Sequence, residues 1–164
     1  MTSKVVSQES FDQPVIRRKS LTAHNEGGMK TVLDFGEAGR GVTDEPVAQG
    51  GTGEGPTPLQ AVVGALCGCE SVTFHRTARE LGFQYQGIEF EANFTIDIRG
   101  RMGVQGVRPH FQSVRVQARV TTAESEERLR RVVEETERRC PVFNLLSDAR
   151  VNLEMVWIRQ QQGR

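Results

Sequence analysis

The sequence predicts an α+β fold on three observations. The elements run as strands, a long helix, two strands, two helices and a final strand, an order that does not repeat the βαβ unit. Two segments, 88 to 98 and 113 to 120, alternate apolar and polar residues with the period of a half-buried strand. Between them and the N-terminal strands lies one helix-length segment, 57 to 82, whose first half has no polar face.

The 164 residues are the length of one ordinary domain. Residues 1 to 13 are polar and aperiodic and predict a flexible arm, leaving 14 to 164 as the folded domain. Two strands are expected within 14 to 35, where NEGG (25 to 28) supplies the glycines of a tight reversal between VIRRKSLTAH and MKTVLDF. From Gly36 to Pro56 no periodicity survives among the Gly, Asp and Glu residues, which predicts a long irregular connection. Its GGTGEG (50 to 55) has the look of a phosphate cradle but lacks the Gly-Lys-Ser/Thr that should follow.

Pro58 suits the first turn of the long helix and Gly82 its end. From Ala61 to Cys69 every residue is apolar or glycine, so this half is expected to be surrounded by protein. In the strand at 88 to 98, Ile88, Phe90, Ala92, Phe94, Ile96 and Ile98 share one face. After the turn-rich RGRMGVQGVRPH, Val114, Val116, Ala118 and Val120 form the inner face of the next strand. Its outer face is basic where that of 88 to 98 is acidic, as antiparallel neighbours favour. A helix over 122 to 139 carries Glu124, Glu126 and Glu127 at its start and Arg138 and Arg139 at its end, with Leu129, Val132, Val133 and Cys140 inward. Pro141 holds Cys140 out of helical geometry and opens a short helix, PVFNLLSD, before the strand VNLEMVWIR (151 to 159).

With 21 basic and 21 acidic residues, no overall field recruits nucleic acid or an anionic membrane. Lys4, Glu9, Asp12, Arg17, Arg18 and Lys19 break up the first twenty residues, so neither a secretory signal nor a membrane span is expected there, and the compartment expected is the cytoplasm. Three cysteines in a reducing compartment are inert core thiols, metal ligands or redox groups. At about 100° per residue, Cys67 and Cys69 face opposite sides of the helix. Cys67 falls with Val63, Phe74 and Ala78, as a packing residue would. Cys69 falls with Val62, Ala65 and Val72, mid-helix, so a thiolate there needs a cation from Arg76 or from another segment. Cys140 sits at the start of PVFNLLSD, where unpaired amides favour an anion, and two arginines precede it. The three cysteines with His75 match no usual metal spacing, and His24, His75 and His110 suggest no triad.

DEPVAQGGTGEGPTPLQAVVGALCGC resembles the signature of the OsmC/Ohr family of organic hydroperoxide reductases: a glycine-rich loop, a helix-opening proline, Pro58, and a cysteine eleven residues later, Cys69. RRCPVFNLL is similar to the family's second motif, and the resemblance spans residues 20 to 159. It implies an intertwined homodimer that buries the central helices between subunits. It also implies a thiol peroxidase acting on organic or lipid hydroperoxides, without cofactor or metal. Cys69 would be oxidised to a sulfenic acid and captured by Cys140 as a disulfide, which a dithiol reductant reopens. Leu59 and Gln60 follow Pro58 where the peroxidases carry glutamate, and NEGGMK lacks their arginine, leaving Arg40 as the nearby substitute. The alternative reading is a noncatalytic member that binds a small apolar ligand in the dimer cleft.

Overall fold

The structure is a computed structural model and describes residues 13 to 161. The arm expected at residues 1 to 13 therefore lies, but for Gln13, outside the described residues. The chain divides between Pro58 and Leu59 into two compact units.

The first unit is an antiparallel sheet in the order β1-β2-β3, with β1 at Thr22–His24, β2 at Thr31–Asp34 and β3 at Arg40–Thr43. The reversal at NEGG is present: Gly27 and Gly28 take φ of +100° and +83°, a region that glycine enters without steric cost. Asn25 braces it, accepting from the Gly27 amide at 2.8 Å and donating to the Lys30 carbonyl at 2.7 Å. The first strand is much shorter than 15 to 24, because only Thr22 to His24 find partners, opposite Asp34 to Val32. The segment from Gly36 to Pro56 is also more ordered than expected. It contains β3, which pairs with β2 from Thr31↔Thr43 to Asp34↔Arg40, and two short 3-10 turns. A four-residue strand that includes a glycine carries too few side chains to show a period.

Asp44 organises the rest of that connection. Its side chain is buried and accepts from the Glu45 amide (2.8 Å), the Thr52 amide (3.0 Å), the Thr52 hydroxyl (2.6 Å) and the Glu54 amide (3.2 Å). These donors, the Thr52 hydroxyl foremost, hold its carboxyl at a pKa of about 2. Gly51 must lack a side chain, since a Cβ there would lie 1.8 Å from the Glu45 carbonyl oxygen. The glycines that resembled a phosphate cradle thus let the backbone close around an internal carboxylate.

The second unit holds α1 (Pro58–Glu80) from Leu59 onward and continues through β4 (Gly87–Ile96), α2 (Ile98–Arg101), β5 (Phe111–Thr121), α3 (Glu126–Arg139), α4 (Pro141–Asp148) and β6 (Asn152–Gln160). Strands β4 and β5 pair antiparallel from Gly87↔Thr121 to Ile96↔Phe111, and the acidic and basic outer faces meet, Arg119 reaching Glu91 at 3.4 Å. The inner row of β5, Val114, Val116, Ala118 and Val120, is fully buried. Strand β4 stops before Ile98 because Asp97 caps α2 by accepting from the Arg99 amide, and Ile98 is exposed. Strand β6 runs parallel to β5, from Ser113↔Asn152 to Thr121↔Gln160, with α3 and α4 forming the crossover that a parallel pair requires. Helix α3 starts later than residue 122: Ser125 is its cap, and Thr122 instead donates to the Gln84 carbonyl.

Helix α1 buries a single stripe, Val63, Leu66, Glu70, Phe74, Thr77 and Ala78, at helical spacing. Leu66 and Phe74 are fully buried, worth about 1.5–3 kcal/mol each. The first packs with Val114, Val116 and Leu146, the second with Phe83, Val120 and Val132, and Trp157 stacks on the Phe74 ring at 5.3 Å. The opposite face of α1 is apolar, and Val62 and Val72 on it are 40% and 53% exposed.

Candidate active site

Cys69 and Glu70 are consecutive on α1, and Cys140 joins α3 to α4. Proline at 141 denies Cys140 helical geometry, and it adopts φ −73°, ψ 114°. Its amide still closes α3 by donating to the Thr136 carbonyl at 2.9 Å. Its carbonyl accepts from both the backbone amide and the side-chain amide of Asn144, at 3.1 and 2.8 Å. Asn144 also donates to the Glu137 carbonyl at 2.9 Å, so the α3–α4 corner is clamped and the thiol direction fixed.

That direction is toward α1. The Cys140 thiol stands within hydrogen-bonding reach of Cys69 and of the Glu70 carboxyl. All three cysteines are free thiols; Cys140 is fully buried, while Cys67 and Cys69 are partly exposed. The two cysteines expected from sequence to work together are therefore neighbours in space.

The electrostatics around Cys140 differ from expectation. The start of α4 does help an anion, through the Phe143 amide, but burial and the adjacent Glu70 dominate and push the thiol far above its ordinary value. The two arginines before it are engaged by carboxylates. Arg138 pairs with Glu135 at 2.6 Å, and Arg139 with Glu135 at 2.7 Å and with Glu80 at 2.5 Å. Arg40, the substitute cation suggested by sequence, donates to Asp34 at 3.0 Å across β2 and β3. Arg76 is exposed.

Glu70 is the residue that sequence reasoning passed over. It is fully buried, and neither carboxyl oxygen has a hydrogen bond of regular geometry. Burial is the main cause that raises its pKa to about 7; repulsion from Glu137 adds to this, and the Cys140 thiol opposes it. Glu137 is itself raised by burial and is held by the Trp157 indole, which donates at 2.9 Å. The signal was present in the sequence: position 70 falls on the 63, 66, 74 stripe that the apolar spacing assigns to the core.

Cys67 packs against the core cluster of Val63 and Leu66, and burial raises its pKa. It also lines a depression of about 430 Å³ with Gln60, Gly64, Asn93 and Phe94. Two of the histidines are engaged by other groups: His75 contacts the Tyr85 hydroxyl at 3.1 Å, and His110 the Phe111 carbonyl at 3.0 Å. Among the described residues, no group of three His, Cys, Asp or Glu could hold a metal ion, and no helix is long and apolar enough to cross a membrane.

With this geometry in hand, the sequence matches the family described as OsmC-like protein over residues 51–156. The chain belongs to the OsmC-like protein family. Its fold is that of an OsmC-like protein from Mycoplasma pneumoniae, with a TM-score of 0.71 at 17% identity, covering 91% of this chain and all (100%) of that one. The organic hydroperoxide resistance protein OhrB of Bacillus subtilis matches with a TM-score of 0.58 at 17% identity, over 88% of this chain and 98% of its own. An organic hydroperoxide resistance protein OsmC from Legionella pneumophila matches with 0.59 at 12% identity, over 90% and 99%. The sequence finds no match among curated proteins. OsmC-like folds thus include proteins named for hydroperoxide resistance, and at these identities the likeness establishes the fold.

Proposed function

We propose that this chain is a thiol peroxidase that reduces organic hydroperoxides in the cytoplasm. The observation that carries this reading is the meeting of Cys69, partly exposed on α1, with Cys140, buried at the α3–α4 corner. The sulfur of Cys69 attacks the terminal peroxide oxygen, the O–O bond breaks, and the alcohol leaves, giving a Cys69 sulfenic acid. Cys140 then attacks the Cys69 sulfur, expelling water and forming a disulfide. An external dithiol reduces that disulfide and is itself oxidised to a disulfide. Of this pair Cys69 has the exposure that peroxide needs, and buried Cys140 beside it supports the capture step.

The acting form is a homodimer in this reading. The uncovered apolar face of α1, running through Val62, Ala65 and Val72, is suited to a second copy of the chain. The depression beside Cys67, with Gln60 where the peroxidases of the family place an acid nearby, favours the second reading, an apolar ligand held there without chemistry.

Mass-spectrometric mapping of thiols after one equivalent of an organic hydroperoxide separates the two. The expected product is a Cys69–Cys140 disulfide with Cys67 still reduced. It is lost in Cys69→Ser and replaced by a persistent Cys69 sulfenic acid in Cys140→Ser. Three reduced thiols with the peroxide unspent would refute the peroxidase.

A further inference from the structure

Peroxide reduction as proposed above leaves one proton without a route. Cys140 is fully buried, and burial together with Glu70 keeps its thiol protonated at neutral pH. A thiol is a poor nucleophile, so Cys140 must lose its proton as its sulfur attacks Cys69. Bulk water does not touch it.

The groups facing Cys140 narrow the choice. Cys69 is the electrophile. Glu137, on α3, is engaged by the Trp157 indole and acts on Glu70 by repulsion. The neighbouring arginines are paired with carboxylates and are cations in any case. Glu70 remains. A fully buried carboxyl with both oxygens lacking regular hydrogen bonds is costly and is rare in folded proteins. It sits one residue from the thiol that would be oxidised and beside the thiol that would resolve it.

We propose that Glu70 is the proton acceptor for Cys140. The Glu70 carboxylate takes the thiol proton as the Cys140 sulfur attacks the Cys69 sulfenic sulfur. The S–O bond breaks, and the proton passes to the departing hydroxide, which leaves as water. The disulfide is the oxidised product, no further oxidant is needed, and Glu70 returns to its carboxylate. Because burial sets its pKa at about 7, roughly half of the molecules hold Glu70 as a base at neutral pH, where general-base catalysis is most effective. This inference rests on the peroxidase reading.

Single-turnover mixing of reduced protein with one equivalent of tert-butyl hydroperoxide tests it, with dimedone trapping the sulfenic acid and acid quenching the disulfide. In the unsubstituted protein, disulfide formation is expected to accelerate with pH along a limb whose midpoint lies near 7. In Glu70→Gln, Cys69 sulfenic acid is expected to form at the unsubstituted rate and to accumulate, with disulfide formation slowed by about 100-fold and the limb gone. Glu70→Asp should recover part of the rate. Disulfide closure in Glu70→Gln at the unsubstituted rate overturns the proposal, as does a pH-independent closure step in the unsubstituted protein. If the unsubstituted protein forms neither a trappable sulfenic acid nor a disulfide and the peroxide stays unspent, the peroxidase reading itself fails and this inference goes with it. The trapping step does not involve Glu70, which keeps the two failures apart.

Discussion

Replacing Glu70 with glutamine should make this protein more stable at alkaline pH, by an amount that disappears in acid. The carboxyl has an ordinary pKa of 4.5 and is raised to about 7 in the fold. Between those values the folded chain holds a proton that the unfolded chain has released, so stability falls as pH rises from about 4.5 to 7 and then levels off. At roughly 1.36 kcal/mol per unit the full displacement is about 3 kcal/mol, and about 2 to 3 after allowing for screening of the carboxylate. Glutamine has the same shape and never ionises. The variant should match the unsubstituted protein near pH 4.5 and exceed it by about 2 to 3 kcal/mol at pH 8, a shift of about 1 M in the urea midpoint. Glu137 titrates in the same direction but is present in both proteins, and Cys140 ionises far above this range. Urea unfolding under reducing conditions, at one protein concentration and at several pH values between 4.5 and 8.5, gives the difference directly. A difference that does not change with pH would refute the account of Glu70.

Asp44→Asn removes the charge that gathers four donors in the 44–54 loop, so faster amide hydrogen exchange is expected at Glu45, Thr52 and Glu54. In the unsubstituted protein the stabilisation that comes from the lowered Asp44 pKa is present above about pH 3.8 and lost as pH falls through about 2, and the variant should lack that acid limb. Val72→Glu places a charge on the uncovered face of α1 and should convert a dimer to a monomer in light scattering at micromolar concentration. A monomer before substitution would remove the reason for pairing α1 with a second copy.

Most of the second unit is legible in the sequence because its signals are periodic. The alternation in β4 and β5 fixes both strands and their facing charges, and the Pro58 and Pro141 punctuation fixes two helix starts. Strand β3 is not legible, since four residues with a glycine have no period and its pairing depends on β2. Nor is the parallel direction of β6, which follows from where α3 and α4 deliver the chain. At the site, the identity of the two thiols is legible through their motifs, but their electrostatics are not. Sequence places Arg138 and Arg139 beside Cys140, whereas the last turn of α3 points them at Glu135 and Glu80. A neighbour in sequence is a neighbour in space only when its side chain turns the same way.

The same distinction explains why the two thiols are not interchangeable under the proposed reaction. Peroxide must reach a sulfur from solvent, and Cys69 retains partial exposure while Cys140 has none. A buried thiol held as S–H is protected from peroxide twice, by access and by protonation. That protection becomes an obstacle once Cys69 is oxidised, because the capture step needs the proton gone. A fixed cation beside Cys140 would remove the obstacle but would also leave a standing thiolate. A carboxyl that ionises near neutrality removes the proton only as the attack proceeds, and its negative charge otherwise disfavours the thiolate. The pairing of Arg138 and Arg139 with carboxylates and the presence of Glu70 beside Cys140 are thus two parts of one electrostatic arrangement, which under the proposed reaction would keep the resolving thiol inactive until its partner is oxidised.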